Sequence, residues 1–216
     1  MDIVKNFESI KKNIPVNVKI IAVSKTKAKE KIIDIYNIGH RDFGENRIQE
    51  MKKKYEELPK DIKWHMIGHL QTNKVKYIAP FVYLIHAVDS LKLLKEINKQ
   101  ALKYEKNIKC LLQIKIAKEE SKFGISKNEV SNLMSLSQDL KNVNIIGLMG
   151  MATFTDNYNI IDIEFKKISN LFRNLKVSYP KLSVLSIGMS NDYLIAIKNG
   201  SNMVRIGSEI FGERNY

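Results

Sequence analysis

Eight short apolar segments alternate with helix-like segments along this chain, and this alternation restricts the fold more than any other feature. Apolar runs of this length are typical of buried strands, whereas the segments between them repeat apolar residues at helical spacing. Strands are predicted at residues 16–23, 42–45, 63–68, 82–88, 108–116, 143–149, 182–187 and 203–206. Helices are predicted at residues 3–12, 28–37, 47–58, 72–78, 90–104, 126–140 and 158–179. The alternation implies parallel βαβ units, and eight of them favour an α/β fold, a closed (β/α)8 TIM barrel with an extra N-terminal helix.

Polar and small residues collect where the predicted strands end, as at Ser24-Lys25-Thr26 and Gly207-Ser208. In a (β/α)8 barrel the active site occupies this end of the strands. An open doubly wound sheet is the alternative fold, and it would carry a glycine-rich dinucleotide loop after strand 1, which residues 24–27 do not resemble. Because no linker, repeat or low-complexity segment divides the chain, we expect residues 1–216 to form a single domain.

The last thirty residues combine two apolar runs with two loops rich in small and hydroxyl residues. Strand 7 leads into Gly188-Met189-Ser190, and strand 8 leads into Gly207-Ser208, each just before a predicted helix start. Backbone N–H groups at such a helix start bind anions. In many barrels the loops after strands 7 and 8 hold a phosphate. The tail therefore predicts a phosphate site at the barrel mouth.

Composition restricts the location of the protein and its chemistry. Hydrophobic residues make up 44% of the 216 residues, enough for a sizeable core. No segment reaches the roughly 18 apolar residues of a membrane span, and the N-terminus lacks the apolar stretch of a signal peptide. The single cysteine, Cys110, lies in an apolar run and is predicted to be a buried structural thiol. We therefore expect a cytoplasmic protein.

The formal net charge is +13, which admits nucleic-acid binding. The lysines are nevertheless scattered along the chain, and no basic run carries the interleaved aromatic residues on which bases stack. We do not expect nucleic-acid binding to be the main role. A basic surface would also attract a phosphorylated small molecule.

Lys25 is the residue most suited to chemistry, because it follows the apolar end of strand 1. Loss of hydration at a barrel mouth lowers the pKa of a lysine, and a neutral amine attacks an aldehyde to form a Schiff base. Lys27, Lys29 and Lys31 are competitors in the following loop and helix. A lysine of this type opposite a phosphate site fits pyridoxal 5′-phosphate (PLP), which carries an aldehyde and a phosphate.

Arg205 stands inside strand 8 between apolar neighbours and needs a partner there. It could face the ring nitrogen of PLP, or form an ion pair with Glu45 or Glu209. No metal site is predicted.

At this point the chain resembles the pyridoxal phosphate homeostasis proteins, which are single-domain barrels related to the N-terminal domain of alanine racemase. The resemblance covers nearly the whole chain. It rests on Ala22-Val23-Ser24-Lys25-Thr26, on Phe43-Gly44-Glu45-Asn46-Arg47-Ile48-Gln49-Glu50, on residues 64–74, on Glu120-Ser121-Lys122-Phe123-Gly124, on Gly147-Leu148-Met149 and on residues 186–212.

The resemblance implies a role for each of several residues. Lys25 would hold PLP as a Schiff base, and Arg205 would face the pyridine nitrogen. The phosphate would be bound by Ser190, Gly207 and Ser208, and the ring would have Asn46 and Met189 as neighbours. Ser208 replaces a threonine found in many relatives and keeps the hydroxyl; the pair Gly150-Met151 also departs from the familiar variants.

Arg205 also bears on function. A guanidinium stays protonated and therefore disfavours a proton on the neighbouring ring nitrogen, which makes the ring a poorer electron sink. Racemases with this arrangement add an acid/base group from another domain, and His65, His69 and Tyr193 are weak substitutes. We expect a PLP carrier that serves intracellular PLP homeostasis and supplies PLP-dependent apo-enzymes, rather than an efficient enzyme.

Three alternatives stay open: a PLP-dependent amino-acid racemase or lyase, a phosphate-binding synthase without PLP, and a nucleic-acid binder. A monomer is favoured over a homodimer, because no second domain completes a partner's site. The N-terminal helix is interpreted as a barrel plug or as an interaction surface.

Overall fold

A computed structural model describes residues 2–117 and 124–213. Eight parallel strands form a closed barrel in which each strand pairs with its neighbour in sequence and β8 pairs with β1. The TIM-barrel prediction is confirmed. The strands are β1 (Lys19–Val23), β2 (Asp42–Glu45), β3 (Lys63–Met66), β4 (Leu84–Val88), β5 (Ile108–Ile114), β6 (Val143–Gly150), β7 (Val184–Met189) and β8 (Met203–Ile206).

Helices follow or precede the strands and form the outer layer. They are α1 (Ile3–Asn13), α2 (Lys29–Asn37), α3 (Ile48–Glu57), α4 (Leu91–Lys103), α5 (Val130–Leu136), α6 (Tyr158–Ser178), α7 (Tyr193–Lys198) and α8 (Ser208–Phe211), with a 3₁₀ helix at Thr72–Tyr77 between β3 and β4. In the part of the chain that is described, no helix is both long and apolar enough to cross a bilayer.

Two apolar cores follow from the alternation of side chains along each strand. The smaller core fills the barrel and includes Ile21, Leu84, Leu111, Met149 and Met203. The larger core lies between the strands and the helices. Side chains that point into the barrel therefore share its interior with anything bound at its mouth.

The N-terminal helix belongs to the outer layer. Its apolar face, formed by Ile3, Phe7 and Ile10, is buried in the larger core. The Asn6 side chain donates to the carbonyl of Ile210 in α8 over 3.2 Å. The interpretation of α1 as a barrel plug is therefore wrong, because α1 seals the outside of the barrel between α2 and α8.

Several predicted boundaries are also wrong. Strand β1 begins at Lys19 rather than at residue 16, and Val16 is fully exposed. Helix α5 covers only Val130–Leu136. The predicted cap residue Ser126 donates its backbone N–H and its hydroxyl to Glu129 (3.1 and 2.5 Å). Together with the bond from the Glu129 N–H to the Ser126 carbonyl (3.1 Å), this contact closes a turn, and the helix begins only after it, at Val130.

Candidate functional site

Barrel closure brings the predicted site residues to four consecutive strand ends. Ser190 follows β7, Gly207 and Ser208 follow β8, Lys25 follows β1, and Asn46 follows β2. Because all strands are parallel, these ends share one face of the barrel. Lys25, Asn46, Ser190 and Gly207 are half-buried, and Ser208 is exposed. Residues distant in sequence thus lie together on one side of the mouth.

The loops after β7 and β8 touch directly. The hydroxyl of Ser190 accepts the N–H of Gly207 over 3.2 Å. The loop after β7 is closed by Asp192, which accepts the N–H of Met189 over 2.5 Å. Met189 itself is 37% exposed at the rim. The two loops that carry the predicted phosphate residues are therefore in direct contact.

Gly207 provides a close approach between β8 and β1. A Cβ at Gly207 would lie 3.3 Å from the Cβ of Val23, tighter than an ordinary contact. Val23 is two residues before Lys25, so Gly207 lets the predicted phosphate loop lie close to the strand that leads to the predicted reactive lysine.

The turn that carries Lys25 is held from beneath by a buried ionic network. Thr26 adopts a left-handed backbone conformation, with φ of 63°, which is uncommon outside glycine. Its N–H donates to Glu50 over 2.6 Å. Lys54 donates to the carbonyl of Ser24 over 2.8 Å and to both Glu45 and Glu50 (2.8 and 2.7 Å).

Glu45 is the most deeply buried member of this network. Ser24 donates its hydroxyl to Oε1 of Glu45 over 2.5 Å, whereas Oε2 of Glu45 is buried without a hydrogen-bond partner. Burial raises the pKa of Glu45 to about 6, although Lys54 acts in the opposite direction. Glu45 and Glu50 belong to a motif of the resemblance, but their role is not visible in the sequence, because Lys54 looks like any surface lysine there.

The competing lysines have structural partners. Lys27 Nζ donates to the carbonyls of Phe211, Gly212 and Glu213 over 2.9–3.2 Å, which ties the turn after β1 to the end of α8. Lys29 Nζ pairs with Glu57 over 3.2 Å on the outer surface. Lys31 is exposed on α2. Of the four candidates, Lys25 is the one at the end of a barrel strand.

Arg205 is 4% exposed and points into the barrel. Its Nη1 donates to the carbonyl and the hydroxyl of Ser186 (2.7 and 2.8 Å), and its Nη2 donates to the carbonyl of Gly150 over 3.0 Å. The alternative of an ion pair with Glu45 or Glu209 is wrong, since Glu45 faces α3 on the outside. Burial lowers the pKa of Arg205 to about 10, so the guanidinium stays charged at neutral pH.

The histidine and tyrosine candidates do not meet Lys25 as a group. His65 lies fully buried inside the barrel and bonds to Asp42 and to His86 (3.0 Å each). His69 lies at the rim beside Asp89, with 3.3 Å between Nδ1 and Oδ2. Tyr193 is buried in the outer core at the start of α7. His86, which sequence reasoning missed, is a further polar residue in the interior and is fully buried there.

Two further predictions have different outcomes. Cys110 is fully buried and burial raises the pKa of its thiol, which confirms a structural role. The motif Glu120-Ser121-Lys122-Phe123 lies outside the described residues, so its position relative to the mouth stays a prediction.

The donor set fits the predicted cofactor. An amine, a hydroxyl, a backbone N–H and a buried cation lie at or near neighbouring strand ends. PLP requires an amine for its aldehyde, donors for its phosphate and a partner for its ring nitrogen. The site thus has the chemical parts for PLP on one side of the mouth.

Comparison with known proteins identifies the family. The family model of the alanine racemase N-terminal domain matches residues 2–215. The pyridoxal phosphate homeostasis protein of Aquifex aeolicus is 40% identical over 200 residues, covering 92% of this chain and 88% of that protein. The protein of the same name from Schizosaccharomyces pombe is 39% identical over 204 residues, covering 92% and 85%.

Solved structures give the same result. PipY from Synechococcus elongatus with PLP bound superposes with a TM-score of 0.89 at 32% identity, covering 98% of this chain and all of that chain. Alanine racemase from Clostridium difficile superposes with a TM-score of 0.81 at 16% identity over 57% of its length, which shows a common fold. The chain therefore belongs to the alanine racemase N-terminal domain family and, within it, to the pyridoxal phosphate homeostasis proteins.

Proposed function

We propose that this protein binds PLP at the barrel mouth, holds it on Lys25 as a Schiff base and serves intracellular PLP homeostasis without efficient amino-acid turnover. The observation that carries the proposal is the convergence of Lys25, Arg205 and the Ser190–Gly207 contact on adjacent strand ends. The family membership and the PLP-bound structure of PipY support the same ligand.

Lys25 makes the covalent attachment. Its amine would hold PLP covalently, through the Schiff base that an unprotonated lysine forms with an aldehyde. The network of Glu50, Lys54 and Glu45 fixes the turn from which Lys25 projects. When bound, PLP supplies an electron-withdrawing ring to the attached group.

The phosphate is assigned to Ser190, Gly207 and Ser208. Ser190 and Gly207 already contact each other, and Ser208 opens α8 just after Gly207. Asn46 and Met189, at the ends of β2 and β7, line the ring. Lys27 and the other surface lysines add positive potential for the phosphate.

Weak turnover is proposed because the site pairs a permanent cation with poorly placed acid/base groups. Arg205 stays charged and disfavours a proton on the ring nitrogen. His65 is occupied by Asp42 and His86 inside the barrel, and His69 lies beside Asp89. The second candidate is a racemase or lyase, which the alanine racemase fold favours.

Borohydride trapping tests the attachment. The purified protein, reconstituted with PLP, should be yellow, and reduction followed by mass spectrometry should locate one modified residue, Lys25. Lys25→Ala should abolish the label, whereas Lys29→Ala, which removes a lysine four positions away, should keep it. A label on another lysine, or a protein that stays colourless with PLP, contradicts the proposal.

A panel of L- and D-amino acids tests the second part of the proposal. We expect rates no higher than those of PLP alone in solution. Turnover well above that background, if it is lost in Lys25→Ala, would show that the protein is an enzyme and would contradict the proposed role as a carrier.

The wider setting is also proposed. We place the protein in the cytoplasm, in keeping with the unpaired Cys110, as a monomer of one domain that supplies PLP to apo-enzymes. Light scattering with and without PLP measures the oligomeric state, and transfer of PLP to an apo-transaminase in the presence of a trap for free aldehyde measures the supply.

A further inference from the structure

A series of hydrogen bonds runs through the barrel interior from Arg205 to the opposite end. Arg205 contacts the Ser186 hydroxyl (2.8 Å), Ser186 contacts His86 Nδ1 (3.3 Å), His86 Nε2 contacts His65 Nδ1 (3.0 Å) and His65 Nε2 contacts Asp42 Oδ1 (3.0 Å). We call these five residues the barrel chain. They come from β8, β7, β4, β3 and β2.

Chemistry assigns every proton in the barrel chain. The Asp42 carboxylate can only accept, so a neutral His65 carries its proton on Nε2 and donates it to Asp42, while its Nδ1 accepts from Nε2–H of His86. Nδ1 of His86 then accepts from the Ser186 hydroxyl, which itself accepts from Arg205, because the guanidinium can only donate. All four bonds therefore point from the cation to the anion, and both histidines are neutral Nε2–H tautomers.

Burial and charge agree with this assignment. His65, His86 and Ser186 are completely buried, and burial lowers the pKa of both histidines. Burial raises the pKa of Asp42, but the hydrogen bond from His65 and the charge of Lys19, which lies 3.4 Å away, keep that pKa below its ordinary value. Beside the barrel chain, Tyr83 packs against His65, and Lys63 and Lys109 lie over the Tyr83 ring.

The cost of burying these groups indicates that the barrel chain has a purpose. Burying polar side chains in a barrel interior costs desolvation free energy, and apolar residues of similar size would fill the same space without this cost. An ordered series of donors, in contrast, fixes the guanidinium in one orientation and one protonation state. Each link also holds its neighbour in a single tautomer.

We propose that Ser186, His86, His65 and Asp42 are positioning residues for Arg205, which they hold in the orientation that meets the ring nitrogen of PLP. The part of this proposal that concerns PLP rests on the function proposed above. The arrangement of the barrel chain itself does not, and the two are tested separately.

The first test uses the PLP-free protein. Two-dimensional ¹H–¹⁵N spectra of the histidine rings should show His65 and His86 as neutral Nε2–H tautomers at pH 7. Asp42→Asn should perturb the His65 ring signals and, through it, those of His86, because the acceptor at the end is weakened. A protonated ring, or an Nδ1–H tautomer at either histidine, overturns the barrel chain.

The second test is a double-mutant cycle with PLP. Ser186→Ala removes the hydroxyl that links Arg205 to His86 and leaves the bond from Arg205 to the Ser186 carbonyl in place. It should weaken PLP binding about tenfold and change the absorbance spectrum of bound PLP. In an Arg205→Gln background the same change should have little further effect. His86→Gln, which interrupts the chain one step further away, should act in the same direction.

Ser201→Ala is the matched control. Ser201 is a buried serine that donates to carbonyls of the same β7–β8 pair, including Ile187 over 2.7 Å, but has no contact with Arg205 among the described residues. It should change stability and leave the spectrum of bound PLP unchanged. Equal losses from Ser186→Ala with and without Arg205 overturn the positioning role. A wild-type protein that fails to bind PLP refutes the proposed function and, with it, the positioning role toward PLP. The histidine ring spectra still test whether the barrel chain has the proposed arrangement of protons.

Discussion

At the scale of single residues, Ser190 tests the phosphate assignment. Ser190→Ala removes a hydroxyl that would donate to the phosphate, and a hydrogen bond to a charged group contributes about 1.5–3 kcal/mol. The dissociation constant for PLP, measured by fluorescence titration, should therefore rise about ten- to a hundredfold. Ser183→Ala is the control, since Ser183 is an exposed residue just before the same strand, at the far end of the barrel. Unchanged affinity in Ser190→Ala would reject this contact.

Glu45 gives a prediction about pH. Its pKa in the folded protein is about 6, above the ordinary value of 4.5, because burial outweighs Lys54 and Ser24. A carboxyl whose folded pKa is raised stabilises the fold when it is protonated, and this contribution is lost as the pH rises from 4.5 through about 6. The unfolding free energy of wild type, compared with Glu45→Gln, should fall by about 2 kcal/mol across this range.

Chemical denaturation at a series of pH values measures this difference. Glu129→Gln is the control, because Ser126 lowers the pKa of the exposed Glu129 and no decrease is expected there between pH 5 and 7. A difference between wild type and Glu45→Gln that grows with pH would mean that the pair with Lys54 dominates over burial.

Lys54 completes the same network. Lys54→Met leaves Glu45 and Glu50 without their shared cation, and breaking a buried ion pair in this way costs about 3–5 kcal/mol. We expect a lower thermal midpoint, together with weaker PLP retention because the Lys25 turn loses its support. Lys53→Met, at the exposed neighbouring position of α3, should change neither. If folded Lys54→Met retained PLP as well as wild type does, the network would not be needed to support the Lys25 turn for PLP binding.

The sequence allowed Lys25 and Arg205 to be singled out, because a charged residue beside an apolar strand is conspicuous. It did not reveal the partners of Arg205. Ser186 and His86 are 100 positions apart, and no local pattern reports that two such side chains point into the same barrel. Lys54 was missed for the opposite reason, since its helix is rich in lysine and only the fold distinguishes the buried one.

At the scale of elements, the junction of β7 and α7 depends on Gly188. Its φ is 96°, and a Cβ there would lie 2.6 Å from the Cβ of Ala196 and 2.9 Å from the Cα of Tyr193. Gly188→Ala should therefore lower the unfolding free energy by about 3 kcal/mol or more, through backbone strain and overpacking together. It should also displace Ser190 and weaken PLP binding.

Gly39→Ala isolates the first of these costs. Gly39 has a similar φ of 91°, but no atom lies within 4 Å of the added Cβ. The expected loss is about 1–2 kcal/mol, from the left-handed backbone alone, with PLP binding unchanged. Equal losses for the two variants in denaturant titrations would show that crowding at Gly188 relaxes without cost.

The elements themselves were predicted well where periodicity is strong and poorly where it is weak. The apolar stripe of α1 was read correctly because three buried residues repeat at helical spacing. Helix α5 was overestimated, since a capping pattern at Ser126 also closes a turn. Strand β1 begins three residues later than predicted, because the sequence does not show that the apolar Val16 is exposed to solvent.

At the scale of the whole molecule, barrel closure creates the site. Lys25 and Gly207 are separated by most of the chain, and they become neighbours because β1 pairs with β8 in register from Lys19–Met203 to Ala22–Ile206. Counting eight strands was enough to predict this closure. The count does not specify which side chains fill the interior, so the barrel chain could be found only from coordinates.

The net charge of +13 gives a prediction for the whole surface. A positive potential accelerates the arrival of a phosphorylated anion, and salt screens it over about 30 Å at 0.01 M but only about 8 Å at 0.15 M. The association rate of PLP, measured by stopped-flow absorbance, should therefore fall several-fold from 10 to 150 mM KCl. Pyridoxal, which has the same aldehyde without the phosphate, should show a much smaller decrease. Because dissociation depends on the contacts at the mouth, the dissociation rate should change little with salt for either molecule. An equal salt dependence of the two association rates would show that the positive charge of the protein does not attract PLP through its phosphate.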